Sequence, residues 1–203
     1  MITIVDYGMG NLGSISNMIK KIGFKSEITN DHEKIKQASK IILPGVGSFD
    51  AGMTNLKELG LINVLEEKIL HEKIPTLGIC LGMQLMTNGS EEGILKGLSW
   101  VNADTKKFIS PSKKFMVPHM GWNCVKPLKE HEVCKEIEFE DTRYYFVHSY
   151  YVDCIDRKDV LLECNYIHDF TASFQKENII GMQFHPEKSH LFGMKLIENF
   201  IAI

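Results

Sequence analysis

The stretch that most restricts how this chain can fold is Thr76-Leu77-Gly78-Ile79-Cys80-Leu81-Gly82-Met83-Gln84. A short apolar run from Ile74 to Ile79, with Pro75 near its start, reads as a buried strand, and a helix-compatible segment from Gly82 to Met86 follows. Glycines flank Cys80 at equal spacing, the pattern of a nucleophile elbow with cysteine in the place of serine. On such a strained strand-to-helix turn, a Cβ two residues away on either side collides. Cys80 is then expected at a helix N-terminus, where unpaired N–H groups and the macrodipole favour a thiolate.

A thiol nucleophile needs a base, and the base needs an acceptor that fixes its tautomer. The distant stretch Gly181-Met182-Gln183-Phe184-His185-Pro186-Glu187-Lys188-Ser189 supplies both. His185 and Glu187 are two residues apart, so an extended backbone projects both from one face. Pro186 stiffens the link and disfavours a helix there. The order Cys, His, Glu differs from the Ser…Asp…His order of the α/β-hydrolases, which argues against an esterase. His148 is a second histidine in reach of a site, but it lacks a nearby acidic orienter, and His185 is the better base.

Around these stretches the chain alternates strand and helix. Ile2 to Asp6 reads as a strand; Leu12, Ile15, Ile19 and Ile22 recur at helical spacing, with Gly23 placed to end the helix. A weak strand (Lys25–Thr29), a short polar helix (Asp31–Ala38) and a buried strand (Lys40–Leu43) follow. This argues for a parallel sheet covered by helices. Helices are expected at Ala51–Leu59 and Leu61–Glu72, then a loop at Asn88–Gly93. From Trp100 the pattern turns β-rich and antiparallel, with strands at 101–109, 116–117, 123–126, 143–153, 160–166, 171–176 and 179–185. Glu177-Asn178 forms a tight hairpin turn, Ser110–Lys114 an exposed loop, and Leu191–Ile201 a closing helix. Most of the aromatic run Tyr144–Tyr151 belongs to the core by alternation.

Two glycine-rich loops follow strands. Gly8-Met-Gly10-Asn-Leu-Gly13 formally matches the dinucleotide pattern G-x-G-x-x-G, but no acidic residue clearly ends a second strand, so nucleotide binding stays a minor alternative. Pro44-Gly45-Val46-Gly47-Ser48-Phe49 lies where a parallel sheet exposes its carboxyl ends. It reads either as a plain turn or as an oxyanion segment, whose glycines let a backbone N–H face a tetrahedral intermediate.

Composition sets the limits. Residues 1–203 read as one domain, 44% hydrophobic, with a formal charge of −3 that gives no reason to expect nucleic acid or a charged membrane surface as partner. No run approaches the roughly 18 apolar residues of a membrane span. Met1–Asp6 reads as a strand rather than a signal peptide, so the cytoplasm is the expected location. The five cysteines include no C-x-x-C pair, which indicates neither a disulfide framework nor a zinc site. Cys124, Cys134, Cys154 and Cys164 read as small core or surface residues.

Gly-Ile-Cys-Leu-Gly-Met-Gln with a distant Gln-Phe-His-Pro-Glu resembles the triad (class I) glutamine amidotransferases. Asp6-Tyr7-Gly8-Met9-Gly10-Asn11-Leu12, the Pro44–Phe49 loop and Pro118-His119-Met120-Gly121-Trp122-Asn123 narrow the likeness to the glutaminase subunits of imidazole glycerol phosphate synthase, from histidine biosynthesis. The match runs in order from residue 4 to residue 200. It implies an α/β, flavodoxin-like, three-layer fold, with a mostly parallel central sheet flanked by helices and an added antiparallel region. It implies a Cys80-His185-Glu187 triad that hydrolyses glutamine, with the Val46 and Leu81 amides as oxyanion donors and no metal or cofactor. Gly45, Gly47, Gln84, Glu92, His148, Ser149 and Tyr150 would surround the substrate. The partner implied is a (β/α)8-barrel synthase subunit, in a heterodimer, that receives the ammonia across a face containing Asn11, Met120, Trp122, Tyr145 and Lys188. Three alternatives remain: a paralogue feeding a surface-sugar amidation enzyme, a stand-alone cysteine amidase or peptidase, and a non-catalytic binding protein of related fold.

Overall fold

Four short parallel strands separated by helices form one half of the molecule, and the computed structural model describes residues 1–111 and 115–203 of the chain. In chain order the first half contains β1 (Ile2–Val5), α1 (Leu12–Lys21), β2 (Ser26–Thr29), α2 (His32–Lys36), β3 (Lys40–Leu43), α3 (Phe49–Glu58), α4 (Leu61–Glu66), β4 (Thr76–Ile79) and α5 (Leu81–Leu85). The second contains β5 (Ala103–Lys107), β6 (His119–Cys124), β7 (Lys126–Pro127), β8 (Arg143–His148), β9 (Tyr150–Cys154), β10 (Val160–Asn165), β11 (Asp169–Lys176), β12 (Ile179–Met182) and α6 (His190–Ala202). The Ser110–Lys114 loop falls partly outside the described residues, which omit 112–114.

The main sheet runs β2-β1-β3-β4-β12-β11-β10-β7. From β2 to β12 every pairing is parallel, with Ile4 opposite Ile28 and Leu77 opposite both Ile42 and Ile180. Alternation along the strands divides the core between two faces. Ile4, Ile42 and Leu77 pack with Ile15 and Ile19 of α1 and with Leu196 and Phe200 of α6. Val5, Ile41 and Leu43 pack with Leu56 of α3, Leu65 of α4 and Leu85 of α5. Each such fully buried side chain contributes roughly 1.5–3 kcal/mol relative to exposure. The result is helix, sheet, helix. No helix among the described residues is long and apolar enough to cross a membrane.

Four expectations are corrected. The helix expected over Leu61–Glu72 is α-helical only to Glu66 and then widens into a π turn over Glu67–His71. The strand expected over Arg143–Asp153 breaks at Ser149, because β8 pairs with β6 whereas β9 pairs with β5 and β11; the chain changes sheets there. The strand expected at 123–126 is instead the end of β6 and the start of β7, and no strand forms at 116–117. Finally, β12 stops at Met182 and is antiparallel only to β11, since its other edge joins β4 in parallel. That last pairing places the end of β12 beside Cys80.

Candidate active site

Loops leaving the carboxyl ends of β3 and β4, the turn after β12 and the bend between β8 and β9 converge on a cavity of about 300 Å³. Cys80 leaves β4 with φ 52° and ψ −108°, a backbone rarely adopted by a side-chain-bearing residue, and its N–H donates to the Met182 carbonyl at 2.7 Å. Close approach forces this turn. A Cβ on Gly78 would lie 2.9 Å from the Gly82 carbonyl, and one on Gly82 would fall on the Leu43 carbonyl of the neighbouring strand. Cys80 thereby becomes the N-cap of α5.

His185 is almost fully buried just beyond β12, and its N–H donates to the Tyr145 carbonyl at 2.9 Å. Its Nδ1 lies 2.7 Å from Glu187 Oε1, so this nitrogen carries the hydrogen and Nε2 is left to work. Nε2 is buried and makes no hydrogen bond within normal limits, though it faces the Cys80 sulfur. Burial opposes the imidazolium, but the Cys80 sulfur and the Glu187 carboxylate outweigh it and push His185 up to about 10. The link between base and carboxylate is not extended. Pro186–Lys188 form one 3₁₀ turn with the proline at its first position, where a missing N–H costs nothing, and the turn swings Glu187 back to the ring.

Val46 and Gly47 form one wall of the cavity, facing Leu81, the first residue of α5. Gly45 does not line it. It lies behind the wall, where a Cβ would come within 2.6 Å of the Tyr7 hydroxyl and 2.7 Å of Leu81 Cβ, so packing alone requires glycine here. The Tyr7 hydroxyl, fully buried, donates to the Pro44 carbonyl. Burial, reinforced by the Cys80 sulfur, holds this phenol far above its ordinary range, so it remains a donor. Gly10 of the G-x-G-x-x-G match also packs here, its Cβ position 3.2 Å from the Gly45 nitrogen. That glycine serves loop-on-loop contact.

Gln84, Glu92, His148, Ser149 and Tyr150 also line the cavity, together with Pro118 and Val147. Glu92 reaches across to accept the Phe49 N–H at 2.8 Å, capping α3 where Ser48 makes no side-chain bond. His148 Nδ1 donates to the Tyr150 carbonyl (2.7 Å), and its Nε2 accepts from His119 Nδ1 (2.9 Å). His119 Nε2 in turn accepts from Asn123 Nδ2 at 3.3 Å. Burial pushes His148 down to about 3 and His119 down to about 4, so both rings are neutral. Burial also pushes the thiols of Cys134, Cys154 and Cys164 up to about 12.

The residues expected at a partner face are at the surface or partly so. Trp122 stacks on His190 (5.5 Å between centroids) and meets Tyr145 edge-on (6.0 Å), with the Lys188 ammonium 5.7 Å from the Tyr145 ring centre. Met120 is exposed on β6, and Asn11 caps α1 through Ser14 N–H at 3.3 Å. Tyr7, His119 and Gln183 escape the sequence reading. Gln183 alone had a signal, since strand alternation places it on the same side as His185.

A family profile described as glutamine amidotransferase class-I matches residues 3–203. The chain is 62% identical over 201 residues to imidazole glycerol phosphate synthase subunit HisH 2 of Methanococcus maripaludis, covering 99% of this chain and 98% of that protein. It is 48% identical over 203 residues to the protein of the same name in Pseudomonas aeruginosa, with both chains fully covered. Among solved structures, a glutamine amidotransferase from Thermotoga maritima superposes with a TM-score of 0.63 at 20% identity, over 99% of this chain and 82% of that one, a likeness of fold.

Proposed function

The chain belongs to the class-I glutamine amidotransferase family, and on that premise we propose that it is the glutaminase subunit of an imidazole glycerol phosphate synthase in histidine biosynthesis. One observation carries the chemistry: Cys80, His185 and Glu187 stand in the order sulfur, imidazole, carboxylate beside a cavity large enough for an amino acid side chain. The Cys80 sulfur attacks the side-chain amide carbon of glutamine. The oxyanion that forms is met by the Val46 and Leu81 N–H groups, and His185 gives its proton to the departing ammonia. Water then attacks the thioester, its proton passes to His185, and glutamate leaves. Glu187 orients the imidazole and stabilises its cation without taking the proton. Gln84, Glu92 and the His148-Ser149-Tyr150 bend hold the substrate's other end.

The ammonia passes to a (β/α)8-barrel synthase subunit docked over Asn11, Met120, Trp122, Tyr145 and Lys188. Glutamine hydrolysis without a consumer is wasteful, so the isolated chain is nearly silent, and docking turns the Val46 N–H into the site. A missing oxyanion donor is worth about 10²–10³ in rate, so one peptide rotation is a sufficient switch. In the complex, Cys80→Ala abolishes product formation from glutamine and leaves formation from ammonium salts intact. Glutamine-dependent turnover in Cys80→Ala would remove the triad from the mechanism. Full glutamate release by the isolated parent chain would instead favour a free-standing amidase. The other reading of the same chemistry is a paralogue that supplies a surface-sugar amidation enzyme. Co-purification and identification of the barrel subunit separates the two.

A further inference from the structure

Gln183 follows the last residue of β12, and its side chain is fully buried between the nucleophile and the substrate-facing wall. Its Oε1 lies 3.0 Å from Gln84 Nε2, and its own Nε2 lies 3.6 Å from the Cys80 sulfur. The orientation of both carboxamides follows from a group that cannot flip. The Tyr150 carbonyl can only accept, and Gln84 approaches it at 3.2 Å, so Gln84 must present its NH₂ there. The second hydrogen of that NH₂ points at Gln183, which must therefore answer with its oxygen. Nothing is then left to face the sulfur except the Gln183 NH₂. Reversing Gln183 would set two NH₂ groups against each other and an oxygen against the sulfur.

We propose that Gln183 is a catalytic residue of the glutaminase reaction, its side-chain N–H holding negative charge on the Cys80 sulfur opposite the His185 imidazole. The proposal rests on the triad reading above. A buried anion needs donors, and this one is neutral, so it stabilises the sulfur without competing with His185 for the proton. The charge is present twice in the cycle. It is there before the sulfur bonds to the amide carbon and expels ammonia. It returns when water has added, the carbon–sulfur bond breaks and its electron pair goes back to the sulfur. The Gln183 N–H donates its hydrogen bond to the sulfur as that pair returns.

The test is alkylation of the full-length chain by iodoacetamide across pH, with the Cys80 and Cys124 peptides quantified by mass spectrometry. Exposed Cys124 serves as the internal reference. In Gln183→Met, which keeps the length and loses the donor, Cys80 alkylation at pH 6 falls about tenfold, the size of a charge-assisted hydrogen bond, and the inflection of rate with pH moves upward. Gln183→Glu, with the same shape and an acceptor in place of the donor, falls further. In both, the chain still co-elutes with the barrel subunit and unfolds cooperatively in urea, which shows that the fold and docking survive. A merely structural role would open the site and raise Cys80 alkylation. Superimposable profiles in parent and Gln183→Glu overturn the proposal, including when Gln183→Met does not fold. Failure of the triad reading would show differently, as glutamine turnover persisting in Cys80→Ala.

Discussion

Replacing Tyr7 with phenylalanine removes one oxygen from beneath the Pro44–Ser48 loop and leaves the buried ring in place. The loss is therefore confined to one hydrogen bond and to the Pro44 carbonyl, which is left without that donor. An orphaned buried acceptor costs about 1–3 kcal/mol. At about 2–4 °C per kcal/mol for a chain of this size, the midpoint of thermal unfolding falls by roughly 2–12 °C. The functional consequence is separate. The Pro44–Gly45 peptide is wedged between the Tyr7 hydroxyl and Leu81, and Val46 is the next residue. If loosening it removes the Val46 donor altogether, kcat falls by about 10²–10³; partial misalignment gives about tenfold. KM for glutamine stays within about twofold, since Gln84, Glu92 and Ser149 are untouched. Glutamate release is measured with the barrel subunit present, alongside urea denaturation and the ammonium-driven reaction as control. A variant that loses stability but keeps its kcat would show that Tyr7 supports only the fold, and that the loop takes its shape from other contacts.

Other outcomes follow from the same geometry. His185→Ala lowers kcat by several orders of magnitude, whereas Glu187→Gln lowers it by at least about tenfold and stays above His185→Ala; parent-level turnover in Glu187→Gln would exclude the carboxylate from the mechanism. Gly82→Ala, whose Cβ lands on the Leu43 carbonyl, destabilises by more than about 3 kcal/mol, while Gly13→Ala, in open space inside α1, stabilises by up to about 1 kcal/mol. Denaturant midpoints that move together would show that the elbow relaxes freely. Acid destabilises the fold through two rings. His119 and His148, near 6.5 when unfolded, are held down to about 4 and about 3, so the unfolded chain binds more protons below pH 6.5 and stability is lost as pH falls. Between pH 7 and pH 5 each ring accounts for about 2 kcal/mol, with the two coupled through their shared hydrogen bond. His119→Asn flattens that dependence, and an unaltered pH profile in the variant would contradict the assignment.

The elements that sequence reveals best are those whose boundaries are local. Lys40–Leu43 reads to the residue because an apolar run meets Pro44, and Glu177-Asn178 reads as a turn because the chain must reverse between two strands. The break at Ser149 is hidden, since it depends on which strands β8 and β9 choose as neighbours and the aromatic run continues across it. The site divides in the same way. Cys80, His185 and Glu187 stand out because glycines and a proline punctuate them. Pro186 points to an extended link, and the 3₁₀ turn found instead uses the same proline at its opening position. Tyr7 gives no local sign of its role, which arises from one loop packed on another, and neither does His119, whose contact with His148 comes from the pairing of β6 with β8. Gly45 stands out for the opposite reason: its motif is conspicuous, and the close packing against Tyr7 and Leu81 that also requires a glycine there is visible only in the fold.

The parallel pairing of β4 with β12 joins segments that a ribosome makes far apart. From Cys80 to Gln183 the chain advances 103 positions, an interval of roughly 5–20 s at ordinary rates of translation. Throughout it the nascent chain has a cysteine with neither its imidazole nor its buried amide. Docking of the four-residue strand β12 closes the sheet between β4 and β11 and delivers both groups at once. Reactivity is thus acquired late, through a contact whose long loop makes it slow to form. A chain abandoned before β12 is made therefore carries the elbow cysteine without the groups that later close over it, and leaves β4 with an unpaired edge where β12 would dock.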